Sequence, residues 1–206
     1  MNKTKIAVLV SGGGTNLQAL LDSEQSGALR SGRIVLVVSN KPGAYALTRA
    51  ENAGVEALTL TRADCGGQEG FERALQAALE ERGVELIILA GFLSILSADF
   101  TARWENRILN VHPSLIPSFC GEGYYGLKVH EEALKKGVKV TGATVHYVNE
   151  IPDGGEIIAQ KAVEIREGDT PEILQKRVME QAEWILLPQA AELVSAKLQN
   201  DKEKRT

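Results

Sequence analysis

The sequence predicts an α/β protein: a Rossmann-like, mostly parallel sheet flanked by helices, with an antiparallel extension toward the C-terminus. Three observations carry that prediction. Short, nearly continuous aliphatic runs at 6–10, 34–38 and 85–90 read as strands buried on both faces. Between them, segments 17–29, 44–53 and 71–82 carry apolar residues at helical spacing, which makes a repeated β-α-β order. Past residue 107, the runs 138–148 and 155–165 alternate more strictly, as antiparallel and half-exposed strands do.

Taken in order, the first strand feeds Ser11-Gly12-Gly13-Gly14-Thr15-Asn16 and then the first helix. Gly54 and Gly83 stop the second and third helices as C-terminal caps. The crossovers between parallel strands are expected to be right-handed. A further strand spans 108–111, a helix lies near 129–136, and the alternating pair comes next. Thr170 is placed to cap a last helical segment with Pro171 at its first position, running toward Gln199. With no internal repeat or low-complexity linker, residues 1–200 read as one domain of two halves, 1–107 and 108–200. The mixed-charge stretch 201–206 reads as a frayed, solvated tail.

A chain of 206 residues can bury a full core, and with aromatics at 5% that core should be aliphatic. The formal net charge is -4 and the Lys and Arg residues are scattered, so no basic stripe offers a path to a phosphate backbone and nucleic acid is disfavoured as a partner. Cys65 and Cys120 have neither metal-ligand spacing nor the density of a disulfide framework. No stretch reaches the ~18 apolar residues that would span a bilayer, and the N-terminus lacks a signal peptide pattern. The expectation is a cytoplasmic protein without membrane or metal partners.

The glycine loop sits between a strand and a helix, where free N–H groups and the helix dipole favour an anion such as phosphate. Thr15 and Asn16 add a hydroxyl and an amide able to donate to it. A dinucleotide fingerprint requires Gly or Ala where Leu17 stands and an acid where the second strand ends in Ser39-Asn40, so NAD is disfavoured. The absence of a Walker lysine disfavours triphosphate hydrolysis.

Asn110 and His112 lie two apart at the end of a strand, so both can project from one face at the carboxyl edge of the sheet. Pro113 and Pro117 stiffen the loop beyond the strand, and Ile116-Pro117 is a candidate cis bond. An amide and an imidazolium can stabilise an oxyanion developing on a carbonyl, and Asp153, in Asp153-Gly154-Gly155, would raise the histidine pKa if brought near. The other two histidines, His130 and His146, are assigned to packing.

At these residues the chain resembles the phosphoribosylglycinamide formyltransferases, folate-dependent enzymes of purine synthesis. The likeness runs from Ile6 to about Pro188. It is carried by Val10-Ser11-Gly12-Gly13-Gly14-Thr15-Asn16-Leu17, Leu89-Ala90-Gly91-Phe92-Leu93-Ser94-Ile95-Leu96-Ser97, residues 110–117, and Asp153-Gly154-Gly155. It implies formyl transfer from 10-formyltetrahydrofolate, as co-substrate, to the amine of 5-phosphoribosylglycinamide. By that resemblance, Gly13, Gly14, Thr15 and Asn16 hold the phosphate, which makes 1–107 the phosphate-binding half and 108–200 the folate and catalytic half. Asn110 and protonated His112 stabilise the oxyanion, His112 donates a proton, and Asp153 raises its pKa and relays the proton of the amine. Leu93, Ser94, Ile95 and Leu96 line the folate pocket, with Val148, Asn149, Glu150 and Asp153 on its other wall, and Glu183 meets the substrate ribose. The state implied is monomer or homodimer.

The chain departs from the family pattern in four places. Ser94 and Gln68 stand where members often carry Arg. The loop 118–126 is longer than its commonest form, which suggests an altered lid. The spacing from Arg177 to Glu183 differs by about one residue. Two related activities fit less well: a methionyl-tRNA formyltransferase is expected to carry a further C-terminal domain and a basic RNA face, and a formyltetrahydrofolate hydrolase an N-terminal regulatory domain.

Overall fold

The computed structural model describes residues 3–204. Its parallel half is built from β1 (Thr4–Val10), α1 (Thr15–Gln25), β2 (Gly32–Ser39), α2 (Tyr45–Asn52), β3 (Glu56–Thr59), α3 (Gln68–Glu81), β4 (Leu86–Leu89), α4 (Ala98–Arg103) and β5 (Ile108–His112). Then come α5 (Leu127–Lys136), the antiparallel strands β6 (Val140–Tyr147) and β7 (Ile157–Glu164), and the helices α6 (Pro171–Val178) and α7 (Trp184–Glu203), with a π-helical turn at Met179–Glu183 between the last two. All seven strands form one sheet in the order β3-β2-β1-β4-β5-β6-β7, parallel from β3 to β5 and antiparallel from there on.

The period of two along β1 sorts its side chains into two cores. Ile6, Val8 and Val10 face α1, α2 and α7, packing with Leu17, Leu20, Ala46 and Leu187; Ala7 and Leu9 face α3 and α4, packing with Phe71, Leu75 and Phe100. Covering both faces is what lets the central strands be aliphatic throughout. The last helix is held by polar contacts as well: the Glu192 carboxylate accepts from the N–H groups of Arg30 and Ser31 at 2.7 and 2.8 Å and from Ser31 Oγ at 2.9 Å.

Several elements differ from the pattern read in the sequence. The first helix stops at Gln25, because Gly27 turns the chain at φ 77°, and Leu29 reaches the core from the loop beyond. β3 and α4 are too short to show a period, and the edge strand β3 is largely open to solvent. The antiparallel pair is not evenly half-exposed: β6 is buried from Thr141 to His146 between β5 and β7, while most of the exposure falls on the edge strand β7. The expected solvated tail is instead helix up to Glu203, with Lys202 paired to Glu85; residues 205–206 lie outside the described residues. Thr170 caps α6 by accepting from Ile173 N, with Pro171 at its start. The Ile116–Pro117 bond is cis.

Phe71 stacks on Phe92 with centroids 6.4 Å apart and is the largest of the fully buried side chains. Phe71→Ala should lower the unfolding free energy by about 3–5 kcal/mol, read from urea melts at neutral pH. A loss below about 1 kcal/mol would show that the α3 face is not the tightly packed layer described.

Candidate active site

Because β1 pairs with β2 on one side and β4 on the other, the chain order reverses between β1 and β4, and the loops leaving their carboxyl ends diverge. There a cleft of about 560 Å³ opens, and its lining brings together Asn16, Leu93, Ser94, Ile95, Asn110, His112, Asp153 and Glu183. Other residues expected at the site fall outside it. Leu96 is buried in the second core, and Val148, Asn149 and Glu150 border a separate hollow of about 370 Å³, with the Asn149 side chain accepting from Ile151 N at 3.0 Å to close a turn. The cleft wall opposite Leu93 is formed by Pro152 and Asp153 instead. Thr15 borders a different groove, of about 770 Å³, between α1 and α7.

Three chain segments meet at the Asp153 carboxylate. Its Oδ2 accepts from Gly121 N at 2.8 Å and lies 3.4 Å from His112 Nδ1; its Oδ1 lies 3.4 Å from His146 Nε2 and 3.5 Å from Asn110 Nδ2. The antiparallel register puts Asn110 opposite His146, and the Asn110 amide approaches the His146 ring at 3.2 Å. His146 Nδ1 faces the Tyr147 carbonyl at 2.7 Å, which can only accept, so that nitrogen carries a proton. The Asn110 amide nitrogen, 3.2 Å from His146 Nε2 and 3.5 Å from Asp153 Oδ1, is turned toward both. His112 Nε2 likewise donates to the Phe119 carbonyl at 2.8 Å, leaving Nδ1 turned toward Asp153.

Phe119 and Gly121 belong to the loop 118–126, so this lid grips both partners of the His112–Asp153 pair through its backbone. Phe119 and Asp153 hold φ near 50° and 55°, conformations that cost about 1–3 kcal/mol each for residues with a side chain. The electrostatic outcome corrects the expectation for His112. Burial is the largest influence on it and holds its pKa below the ordinary value, while Asp153 and the Phe119 carbonyl pull upward without prevailing. For Asp153, burial works to raise the pKa, but the His146 ring, the His112 charge and the Gly121 N–H together leave it lowered.

At the other end, Gly14 caps α1 at φ 72°, and a Cβ there would stand 2.6 Å from that of Ala46, so only glycine fits. Gly12 and Gly13 face open space, which leaves their backbone approachable by a ligand. Arg49 Nε donates to Gly13 O at 2.8 Å and steadies the loop. One N–H of the Asn16 amide donates to the buried Glu183 Oε2 at 2.7 Å, and Glu183 is held protonation-prone by burial, with the Asn16 bond opposing. Glu183 reaches that position through the π turn at Met179–Glu183, which takes up one residue more than an α turn.

His146 was missed by sequence reasoning because its role depends on a cross-strand register that local pattern does not reveal; its place directly opposite Asn110 is the signal. His130 also lines the cleft, fully buried, with neither ring nitrogen hydrogen-bonded. Among the described residues no group of three or more His, Cys, Asp or Glu is placed to hold a metal, and no helix is long and apolar enough to cross a membrane.

Burial, helped by the His112 charge, pushes the His130 pKa down to about 4 from 6.5. The folded state thus refuses a proton that the unfolded chain accepts, so stability is complete above pH 6.5 and is lost as pH falls toward 4. Urea melts should show about 2–3 kcal/mol less stability at pH 4.5 than at pH 7 from this group, and His130→Leu should remove that portion. An unchanged pH dependence in the variant would contradict the buried, neutral state of the ring.

Comparison with known proteins places this geometry. A family profile described as formyl transferase matches residues 4–190. The trifunctional purine biosynthetic protein adenosine-3 of Gallus gallus is 48% identical over 195 residues, 95% of this chain, although the chain spans only 19% of that relative's length. A phosphoribosylglycinamide formyltransferase of Haemophilus influenzae is 41% identical over 86% of this chain and 81% of its own. The crystal structure of glycinamide ribonucleotide transformylase 1 from Symbiobacterium toebii superposes with a TM-score of 0.88 at 42% identity, covering 95% of this chain and 89% of that one. With its switch-point cleft and the Asn110, His112 and Asp153 cluster, the chain belongs to the formyl transferase family.

Proposed function

We propose that residues 1–200 act as one unit that transfers the formyl group of 10-formyltetrahydrofolate to the amine of 5-phosphoribosylglycinamide, giving the N-formyl product and tetrahydrofolate in purine biosynthesis. The observation that carries this is the Asp153 carboxylate lying within 3.5 Å of both His112 Nδ1 and Asn110 Nδ2. It puts a proton-carrying ring and an amide donor side by side in one cleft. The family membership and the relatives' named activities support the choice of substrates.

In this mechanism the amine nitrogen bonds to the formyl carbon while the carbonyl oxygen takes up negative charge. The long 3.5 Å contact between Asn110 and Asp153 leaves an N–H that can turn to that oxygen, worth about 3 kcal/mol for one such donor. His112 starts neutral, its Nε2 proton held by Phe119, so Nδ1 and the ionised Asp153 together receive the proton lost by the attacking amine. The imidazolium so formed stands beside the oxyanion. The carbon–nitrogen bond to N10 then breaks, and the same proton passes to N10. Gly13, Gly14 and Thr15 would hold the acceptor phosphate through backbone N–H groups, while Asn16 and Glu183 face its ribose. Leu93, Ser94 and Ile95 would flank the folate. Both ligands are small cytoplasmic metabolites, with neither nucleic acid nor membrane required.

Purified protein supplied with 10-formyltetrahydrofolate and phosphoribosylglycinamide should release tetrahydrofolate only when the acceptor is present. His112→Ala and Asp153→Ala should each lower turnover by roughly 10²–10⁴ while leaving acceptor binding intact. Release of formate without acceptor would favour hydrolysis over transfer, and unchanged turnover in either variant would remove these residues from the chemistry.

A further inference from the structure

In the reaction proposed above, His112 must keep Nδ1 free of a proton until the amine attacks. Two neighbours compete over where the ring proton sits. The Phe119 carbonyl, 2.8 Å from Nε2, favours the tautomer with its proton on Nε2, whereas the Asp153 carboxylate, 3.4 Å from Nδ1, favours the tautomer with the proton there. A neutral imidazole has one N–H, so the outcome turns on how firmly the Phe119 carbonyl is held in place. Phe119 lies seven residues beyond His112, so the chain leaves the ring, turns and comes back to it.

That returning segment is pinned by one hydroxyl on the neighbouring strand. The β5–β6 register sets Thr144 opposite His112, and Thr144 is fully buried. Its Oγ1 donates to the Ser114 carbonyl at 2.7 Å and accepts from Ile116 N at 3.1 Å and from Gln160 Nε2 at 2.9 Å. A hydroxyl has one proton and two lone pairs, so its whole capacity is spent on this contact. Gln160, opposite Thr144 on β7, also donates to the Ile116 carbonyl at 3.0 Å. Ser114, fully buried as well, passes the constraint along the chain: its Oγ donates to the carbonyl of Ser118 at 2.5 Å, one residue before Phe119. Ser118 N closes the turn on Leu115 O at 3.0 Å. Neither Thr144 nor Ser114 lines the cleft, so whatever they contribute to the chemistry passes through His112.

We propose that Thr144 is a positioning residue for His112: by pinning residues 114–118 it keeps the Phe119 carbonyl on Nε2, and so leaves Nδ1 open toward Asp153. The consequence for turnover rests on the formyl-transfer function proposed above, whereas the position of the ring proton is a property of the free protein.

The test joins nitrogen-15 NMR of the neutral His112 ring in the free protein with steady-state kinetics on 10-formyltetrahydrofolate and phosphoribosylglycinamide. It compares the wild type, Thr144→Val, Thr144→Ser and Ser114→Ala. The wild-type ring should carry its proton on Nε2. Thr144→Val, close in shape but without the hydroxyl, should release the Phe119 carbonyl, move the major tautomer to Nδ1–H and lower kcat by roughly 10–100-fold, with both KM values within about twofold. Thr144→Ser keeps the hydroxyl and should restore the Nε2–H ring and a kcat within about threefold of wild type. Ser114→Ala cuts the link to Ser118 while leaving Thr144 in place; it should shift the tautomer in the same direction, and it supplies the reading if Thr144→Val does not fold. A wild-type proton on Nδ1, an unchanged tautomer in either folded variant, or no recovery in Thr144→Ser would overturn the assignment. So would a fall in kcat with the tautomer unmoved, which is what a purely structural role predicts. Tautomers as expected but no acceptor-dependent turnover in the wild type would instead overturn the formyl-transfer reading.

Discussion

Asp153 holds a left-handed backbone conformation, φ 55°, and its two carboxylate oxygens face four partners: His112, His146, Asn110 and the Gly121 N–H. These partners come from β5, β6 and the lid, so one side chain ties the antiparallel extension to the carboxyl edge of the parallel sheet. Against the effect of burial, the hydrogen bonds that reach this carboxylate help to hold its pKa below the ordinary value, and its charge is the condition for everything nearby. Without that negative charge, the effect of burial on His112 would lose its main opposing influence.

The site sets burial against charge. His112 gains from Asp153 and from the Phe119 carbonyl, but the removal of water outweighs both and keeps the ring neutral at rest. Such a ring is better suited to receive a proton during the reaction than to hold one beforehand. His130 and Glu183 follow the same rule: burial disfavours their charged forms, so the cleft interior carries less charge than its count of ionisable residues suggests. That leaves the ionised Asp153 as the reference charge near the reacting atoms, with arginines met only outside the lining.

Much of this was legible in the sequence where the determinants are local. The aliphatic runs of β1, β2 and β4, the Thr170-Pro171 helix start and the glycine turn at Gly14 each follow from a few adjacent residues. The Asn110–His112 pair was visible because a strand period places both on one face. What escaped detection depends on contacts between distant segments. The role of His146 is created by β5–β6 register, and the separation of Val148 to Glu150 from the cleft by the path of the loop leading to Asp153. The net direction of the His112 shift is a contest between burial and a partner, which residue types alone cannot decide. The π turn at Met179–Glu183 likewise has no local signature, yet it is the segment that carries Glu183 to Asn16.

The central claim is that Asp153, against the effect of burial, sustains the proton affinity of His112. Nitrogen-15 NMR titration of the His112 ring in the free protein, wild type against Asp153→Asn, tests it most directly. The wild-type ring should titrate below 6.5, with the proton of its neutral form on Nε2, and the Asn variant should titrate lower still because the attractive charge is gone while burial remains. A wild-type value above 6.5, or a value that rises when Asp153 loses its charge, would contradict the account.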